Sequence, residues 1–467
     1  MREPQAGDGA VLVSHGARPS PTTDVREEEP LLRQMGAAGI WLLAVNGMIG
    51  AGIFGVPAGA AALTGVYSPL VFLGCGFLLT AVVLCFAELA SYFRGTGGPV
   101  LYLRSAFGPV AGFQAGWAFY IARATAFAAN LNLLVASLAY FWAPASSGLA
   151  RASLMALVVT LLAWPNIAGT RHAMRSLGLL TLLKLLPLLA VVGLGLSWLG
   201  PAALPVASSP LPDYAGFGTA ALLVIYAFVG WESAVVPGGE ARDPARDMPR
   251  ALILAMVMVT ALYVLIQAVA VAVLPDLAAS ERALVDVGAV LFGPAGALLL
   301  TVAVLLSVGG NLAGGMVTAP RLTYALAREG SLPAWLGRVH PATRTPANSI
   351  LLYSLLVFLL AVYGSFVWLA AMSALVRVLI YMACIGAMPR LRRRFGDTPG
   401  SFRVPGGWFT ALGAFLVSGL LLLQVRIEAV LVTAGFMLAG ALVYAWARRG
   451  GRPPGDAPKT SPGPPVE

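Results

Sequence analysis

Four ionisable side chains stand where a lipid-spanning chain can least accommodate them: Arg123 in "FYIARATAFAAN", Lys184 in "LLTLLKLLPLLAVVG", Glu232 in "LLVIYAFVGWESAVV" and Arg377 in "SALVRVLI". A charge inside an apolar run is expensive and marks a functional candidate. Lys184 is one of two lysines among the 30 basic residues. Lysine changes protonation readily when desolvated, whereas arginine stays charged, so Lys184 can gain and lose a proton during a cycle. The competing reading is a lysine that snorkels to the membrane surface, although it lies about 13 Å of helical rise beyond Arg175. Arg123 and Arg377 each need a carboxylate, a carbonyl cluster or water, and a structural ion pair competes with substrate contact for both. Glu232 can partner either one, and the sequence does not choose. Glu88 lies about one turn from the end of its apolar run and is expected to pair locally with Arg94.

Backbone groups are the second source of chemistry. "VNGMIGAGIFGVPAG" (Val45 to Gly59) crowds Gly47, Gly50, Gly52 and Gly55 into one apolar run, with Pro57 close behind. Small residues let membrane helices pack closely, which is one reading. The other is a helix broken near the bilayer midplane, whose exposed amides and positive dipole end face an anionic group. Gly50-Ala51-Gly52 suits the second, because minimal side chains let a carboxylate approach the N–H groups. Gly230 interrupts another run, flanked by Tyr226, Phe228 and Trp231 near its middle, where an interfacial aromatic belt explains them poorly.

The elements that must hold these groups are membrane helices. Of 467 residues, 58% are hydrophobic and 11% charged, against about 25% charged in soluble domains, and mean hydropathy is +0.83. No charged residue occurs between Arg33 and Glu88, an interval that "TGVYSP" divides into two helices. Runs of about 20 apolar residues number twelve, centred near Ile49, Leu79, Phe127, Val159, Pro187, Phe228, Leu262, Ser307, Val357, Ile380, Phe415 and Thr433. Connecting segments alternate in charge: "RHAMR", "EARDPARDMPR", "REGSLPAWLGRVH" and "RLRRRFG" fall on one side with both termini, while Arg151, Arg282 and Arg426 lie on or near the other. The basic side is cytoplasmic by the positive-inside rule. That rule also accounts for the net charge of +10, which has no soluble basic domain to direct toward nucleic acid.

Two glycine-interrupted spans five helices apart are the arrangement expected of two inverted five-helix halves. The expected fold is thus an all-α integral membrane protein of twelve transmembrane helices, with discontinuous helices 1 and 6, flanked by a disordered cytosolic tail over 1–35 and a second over 448–467. Cys75, Cys85 and Cys384 fall in apolar segments without ligand-like spacing, and His15, His172 and His340 form no cluster, so no metal or cofactor is expected.

"GMIGAGIFGVP", "FAELASYFRGTGGPVLYLRSAFGP", "YAFVGWESAVVPGGEARDPARDMPRAL" and "APRLTYALAREGSLPAWLGRVHPATRTP" occur in order across most of Gly36 to Arg394. Together they resemble the amino acid–polyamine–organocation superfamily of transporters. The resemblance implies a 5+5 inverted-repeat core, with a first repeat over 36–200 and a second over 215–394, peripheral helices over 405–447, and a substrate held between broken helices one and six. Its carboxylate would meet amides around Gly50, Ala51 and Gly52. Its α-amino group would meet carbonyls of Met48, Tyr226 and Val229, with Phe228 and Gly230 in the same lining. Tyr226 matches the aromatic gate, and Ala128 to Asn132 and Asn311 to Gly315 would line the side-chain pocket. Lys184 matches the lysine that some sodium-independent members place where relatives bind sodium. Glu232, where amide or smaller residues also occur, is the departure.

The expected function is secondary active transport of amino acids across the cytoplasmic membrane by alternating access, sodium-independent and coupled to protons through Lys184 and Glu232. The alternative is an exchanger of amino acids and amines or polyamines. A channel or sensor has no need of two matched breaks, and no nucleophile–base pair or cofactor loop points to an enzyme. The expected partners are a small amino acid or amine, protons and the lipid bilayer; the sequence is silent on oligomeric state.

Overall fold

In the computed structural model, residues 35–93, 97–139, 141–168, 177–198, 213–236, 241–396, 401–425 and 427–450 are described. Arg94, the "RHAMR" loop and nearly all of both expected tails lie outside them. The described residues are helical throughout apart from short connections and one isolated bridge between Met35 and Ala241.

The first apolar run forms two helices, α1 (Ala37–Met48) and α2 (Gly52–Thr64), separated by three residues outside either one. The "TGVYSP" signal becomes a tight turn with Gly65 at φ +54°, and Pro69 then opens α3 (Ser68–Tyr92), a position where its missing N–H costs nothing. A short helix, α4 (Pro99–Phe107), precedes α5 (Pro109–Leu138), α6 (Gly148–Ala168) and α7 (Leu177–Gly195). Asp213 caps α8 (Tyr214–Phe228) by accepting from Gly216 N–H at 2.8 Å. After a second interruption come the one-turn α9 (Glu232–Val235), α10 (Pro244–Val273) and α11 (Ala283–Arg328). α11 kinks at Gly293, φ +67°, immediately before Pro294, as expected where a proline removes a helical donor. The remaining helices are α12 (Ala347–Tyr363), α13 (Phe366–Phe395), α14 (Trp408–Leu422) and α15 (Ile427–Gly450).

Seven helical stretches among the described residues are long and apolar enough to cross a membrane, and five shorter apolar helices accompany them. Burial separates core from periphery. In the most apolar windows of α5 and α13, 78% and 72% of residues are buried, against 17% and 22% for α6 and α15. The outer helices display Leu161, Trp164, Leu355, Phe409 and Leu416, a surface that is unfavourable in water and natural in lipid. Cys75, Cys85 and Cys384 are free and buried.

Glu88 has a partner that the sequence did not name, while its expected pairing with Arg94 lies outside the described residues. The Glu88 carboxylate is fully buried and accepts from Arg392 at 2.6 and 2.8 Å, from Tyr92 Oη at 2.6 Å and from the Val404 amide at 2.8 Å. Arg392 lies 304 residues away in sequence and comes to Glu88 because α13 packs along α3. No local pattern could have named it.

Candidate substrate site at two helix breaks

The two breaks face each other. α1 packs on α9, and α2 on α8, so the ends of four helix segments converge. The crossing is so tight that a Cβ on Gly47 would collide with the Gly230 carbonyl, and one on Gly230 with the Gly47 carbonyl. Gly230 also sits at φ +116°, a conformation that side-chain-bearing residues rarely adopt. Gly52 lies against the Ala227 backbone and Gly50 against the Asn311 amide. The two readings of the glycine stretch are therefore both realised: close packing is what brings the breaks together.

At the first break Ile49 takes φ −77°, ψ +85°. The Gly50 amide turns back to the Met48 carbonyl at 2.9 Å, closing an inverse γ-turn. Tyr263 Oη also donates to that carbonyl, at 2.9 Å, so both lone pairs of Met48 are engaged. Among the described residues no acceptor is recorded for the N–H groups of Ala51, Gly52 and Ile53. These are the orphan donors of α2, carrying its positive dipole end.

The C-terminal end of α1 meets a cation. Lys184 Nζ, 1% exposed, donates to Asn46 Oδ1 at 2.9 Å, the Ile49 carbonyl at 3.3 Å and Asn311 Oδ1 at 3.5 Å. Ser307 Oγ donates to the same Ile49 carbonyl at 3.2 Å. The ammonium thus ties α1, α7 and α11 together at the negative end of a half-helix. Snorkelling is excluded by its burial and by these three oxygens.

At the second break Val229 is extended, with ψ +154°, and the Gly230 amide donates to Glu232 Oε2 at 2.6 Å. Tyr381 Oη donates to Glu232 Oε1, and Arg377 Nε lies 3.2 Å from that oxygen. Arg377 is therefore the arginine that meets Glu232. Its Nη1 also reaches the Ala122 carbonyl at 3.1 Å and Ser373 Oγ. With every Glu232 oxygen occupied, the pair works as a buried clasp between α9 and α13. Among the described residues no donor is recorded for the carbonyls of Tyr226 and Val229.

Two backbone interruptions, one baring donors and the other acceptors, suit a zwitterion. Comparison with known proteins points the same way, because the amino acid permease family profile matches residues 39–448. This chain belongs to that family. The permease is similar to the serine/threonine exchanger SteT of Bacillus subtilis (strain 168), 29% identical over 84% of this chain and 93% of that protein. It is similar to the human large neutral amino acids transporter small subunit 2, 28% identical over 80% of this chain and 72% of the other. An uncharacterized transporter of Mycobacterium tuberculosis is 32% identical over 74% of this chain and 76% of its own length. These relatives are transporters of a multi-pass membrane family.

Other expected site residues divide between the permease's cleft and its packing. Tyr226 Oη donates to Asn130 Oδ1 at 2.7 Å and its ring meets Phe366 edge-on at 5.9 Å, so the gate position is closed against α5. Phe228 is fully buried between Phe72 and Tyr263, which leaves its carbonyl, not its ring, for a ligand. Asn132 turns away to the Ala361 carbonyl and to Arg151 Nη2, which lies 2.5 Å from its Oδ1.

α11 changes character along its length. Before Asn311 its exposed side chains, Val290, Leu298, Leu299, Val302 and Leu306 among them, are all apolar. Past Asn311 the exposed positions become Gly314, Thr318, Arg321 and Ala325, small or polar, on the face that carries Asn311. Lipid accounts for the first set and water for the second. Asn46, Ser307, Tyr263 and Thr318 are contributors that sequence reasoning missed, whereas Asn130 falls in the expected Ala128 to Asn132 lining. An isolated polar residue in an apolar run was the signal for Asn46 and Ser307; Tyr263 left none.

Proposed function

We propose that the permease is a sodium-independent secondary transporter that carries amino acids across the cell membrane by alternating access, with proton coupling through Lys184. The observation that carries the reading is the Lys184 ammonium against the Ile49 carbonyl at the end of α1, where it supplies a positive charge without a metal ion. The substrate carboxylate binds the α2 amides beside Gly50, at Ala51 and Gly52. Its ammonium binds the free carbonyls at Tyr226 and Val229. Such a ligand replaces the water these groups would lose in a dry midplane.

On this reading α1 with α2, and α8 with α9, each count as one interrupted crossing. With α3, α5, α6, α7 and α10 to α15 they make twelve, ten of them in two inverted halves and α14 and α15 at the periphery. The basic segments and both termini are cytoplasmic. The closed Tyr226–Asn130 contact and the polar, exposed second half of α11 then describe an inward-open state. Closing the cleft over bound substrate and parting Tyr226 from Asn130 completes the cycle.

A second reading, exchange, is favoured by SteT, which is named a serine/threonine exchanger, and by an ammonium already satisfied by three oxygens. Uptake into proteoliposomes separates the two. Proton coupling requires that a pH gradient drive accumulation and that Lys184→Ala abolish or uncouple it. Unchanged pH-dependent uptake by Lys184→Ala rules out the proton role. Counterflow from preloaded liposomes without a pH gradient, and no uptake into empty ones, selects exchange.

A further inference from the structure

Among the described residues, Lys184, Arg377 and Arg123 are cations on helices of the apolar bundle, and the first two are answered. Lys184 has three oxygens, and Arg377 has Glu232. Arg123 is answered differently. Its Nη1 donates to Thr318 Oγ1 at 2.9 Å, and among the described residues no carboxylate lies within ion-pair distance of its guanidinium. Arginine cannot shed its proton to relieve the cost, and a hydroxyl is no substitute for a directly paired carboxylate.

Its position is specific. On α5, Arg123 shares a face with Ala126, whose carbonyl lies 3.4 Å from Tyr226 Oη, and with Asn130, which takes the same hydroxyl at 2.7 Å. Ala126 is three residues on, about 4.5 Å of rise. On α11, Thr318 lies in the water-exposed stripe below Asn311, about 10 Å of rise from the first break. The guanidinium is therefore offered to the cleft one to two turns beyond the two breaks, where a bound amino acid would direct its side chain.

We infer that Arg123, with Thr318 beside it, forms a side-chain subsite for a carboxylate, so that the preferred substrates are dicarboxylic amino acids. The inference rests on the transport reading above and narrows its substrate class. The guanidinium presents a planar fork that a carboxylate fits in bidentate fashion, and its charge turns away cationic side chains. Glu232 lies near enough to be felt by Arg123, but its oxygens are committed to Arg377, Tyr381 and the Gly230 amide.

The test is thermal unfolding of the purified full-length protein titrated with glutamate, aspartate, glutamine, asparagine, lysine and inorganic phosphate, since a ligand stabilises the form it binds. Glutamate or aspartate should bind at least about thirtyfold more tightly than its amide, the scale of a desolvated charge pair. Arg123→Gln should erase that preference while amide binding survives, and Arg123→Lys should keep part of it. Amides binding as well as acids to the wild-type protein overturns the inference and leaves the transport reading intact. So does equal loss of acids and amides in Arg123→Gln with Arg123→Lys unchanged, which would make Arg123 a structural or α-carboxylate group. Phosphate matching glutamate reduces the subsite to adventitious anion binding and overturns the inference. No stabilisation by any amino acid overturns both readings.

Discussion

Gly47→Ala tests the crossing of the two breaks while leaving local helix formation favourable. Gly47 lies within α1 with ordinary helical backbone, so alanine gains about 1 kcal/mol in propensity. The new methyl group, however, meets the carbonyl oxygen of Gly230 well inside contact distance, and the two backbones must separate by on the order of 1 Å. Overpacking of this kind costs about 1–3 kcal/mol, so the net loss of stability is about 0–2 kcal/mol. The thermal midpoint should move by only a few degrees. A 1 Å displacement at a preorganised site, by contrast, costs about a hundredfold. Gly65→Ala is the control. Gly65 has φ +54° and ψ −131° but open space around it, so alanine there costs about 1–3 kcal/mol of backbone strain and leaves the breaks untouched. Proteoliposome uptake should fall about a hundredfold for Gly47→Ala and stay near wild type for Gly65→Ala. Wild-type uptake by Gly47→Ala, or an equal loss in Gly65→Ala, refutes the argument that the crossing forms the site.

Two further expectations concern buried ion pairs. Glu232→Gln strands the Arg377 charge and should lower stability by about 3–5 kcal/mol. Adding Arg377→Met should recover most of it in thermal unfolding, and a double variant no more stable than the single would show that the pair is not the reason. Glu88→Gln weakens the buried pairing with Arg392 and should lower the unfolding midpoint while substrate affinity holds. Lost affinity at an unchanged midpoint would instead place Glu88 in the transport machinery.

Hydropathy made the apolar runs legible because every segment facing lipid must satisfy its own backbone and present apolar side chains, and both demands are local. The glycine interruptions were legible for the same reason: Gly50 to Gly52 and Gly230 violate a rule that a few adjacent residues express. Lys184 stood out as a lone ammonium in such a run. What the sequence left open was which groups meet. Glu232 had two arginines to choose from, and the rotation of α13 against α9 selected Arg377. Glu88 meets Arg392, 304 residues away, which no local pattern could name. The family resemblance implied a Met48 carbonyl facing the substrate, yet Tyr263 and the Gly50 amide already engage it, because α10 packs against α1. Helix-forming and membrane-crossing tendencies are properties of short segments, and so the sequence by itself determined them. Partnerships between helices depend on the azimuth and depth at which each one packs. Those are set by the sum of contacts across the bundle, and only the tertiary structure decided them.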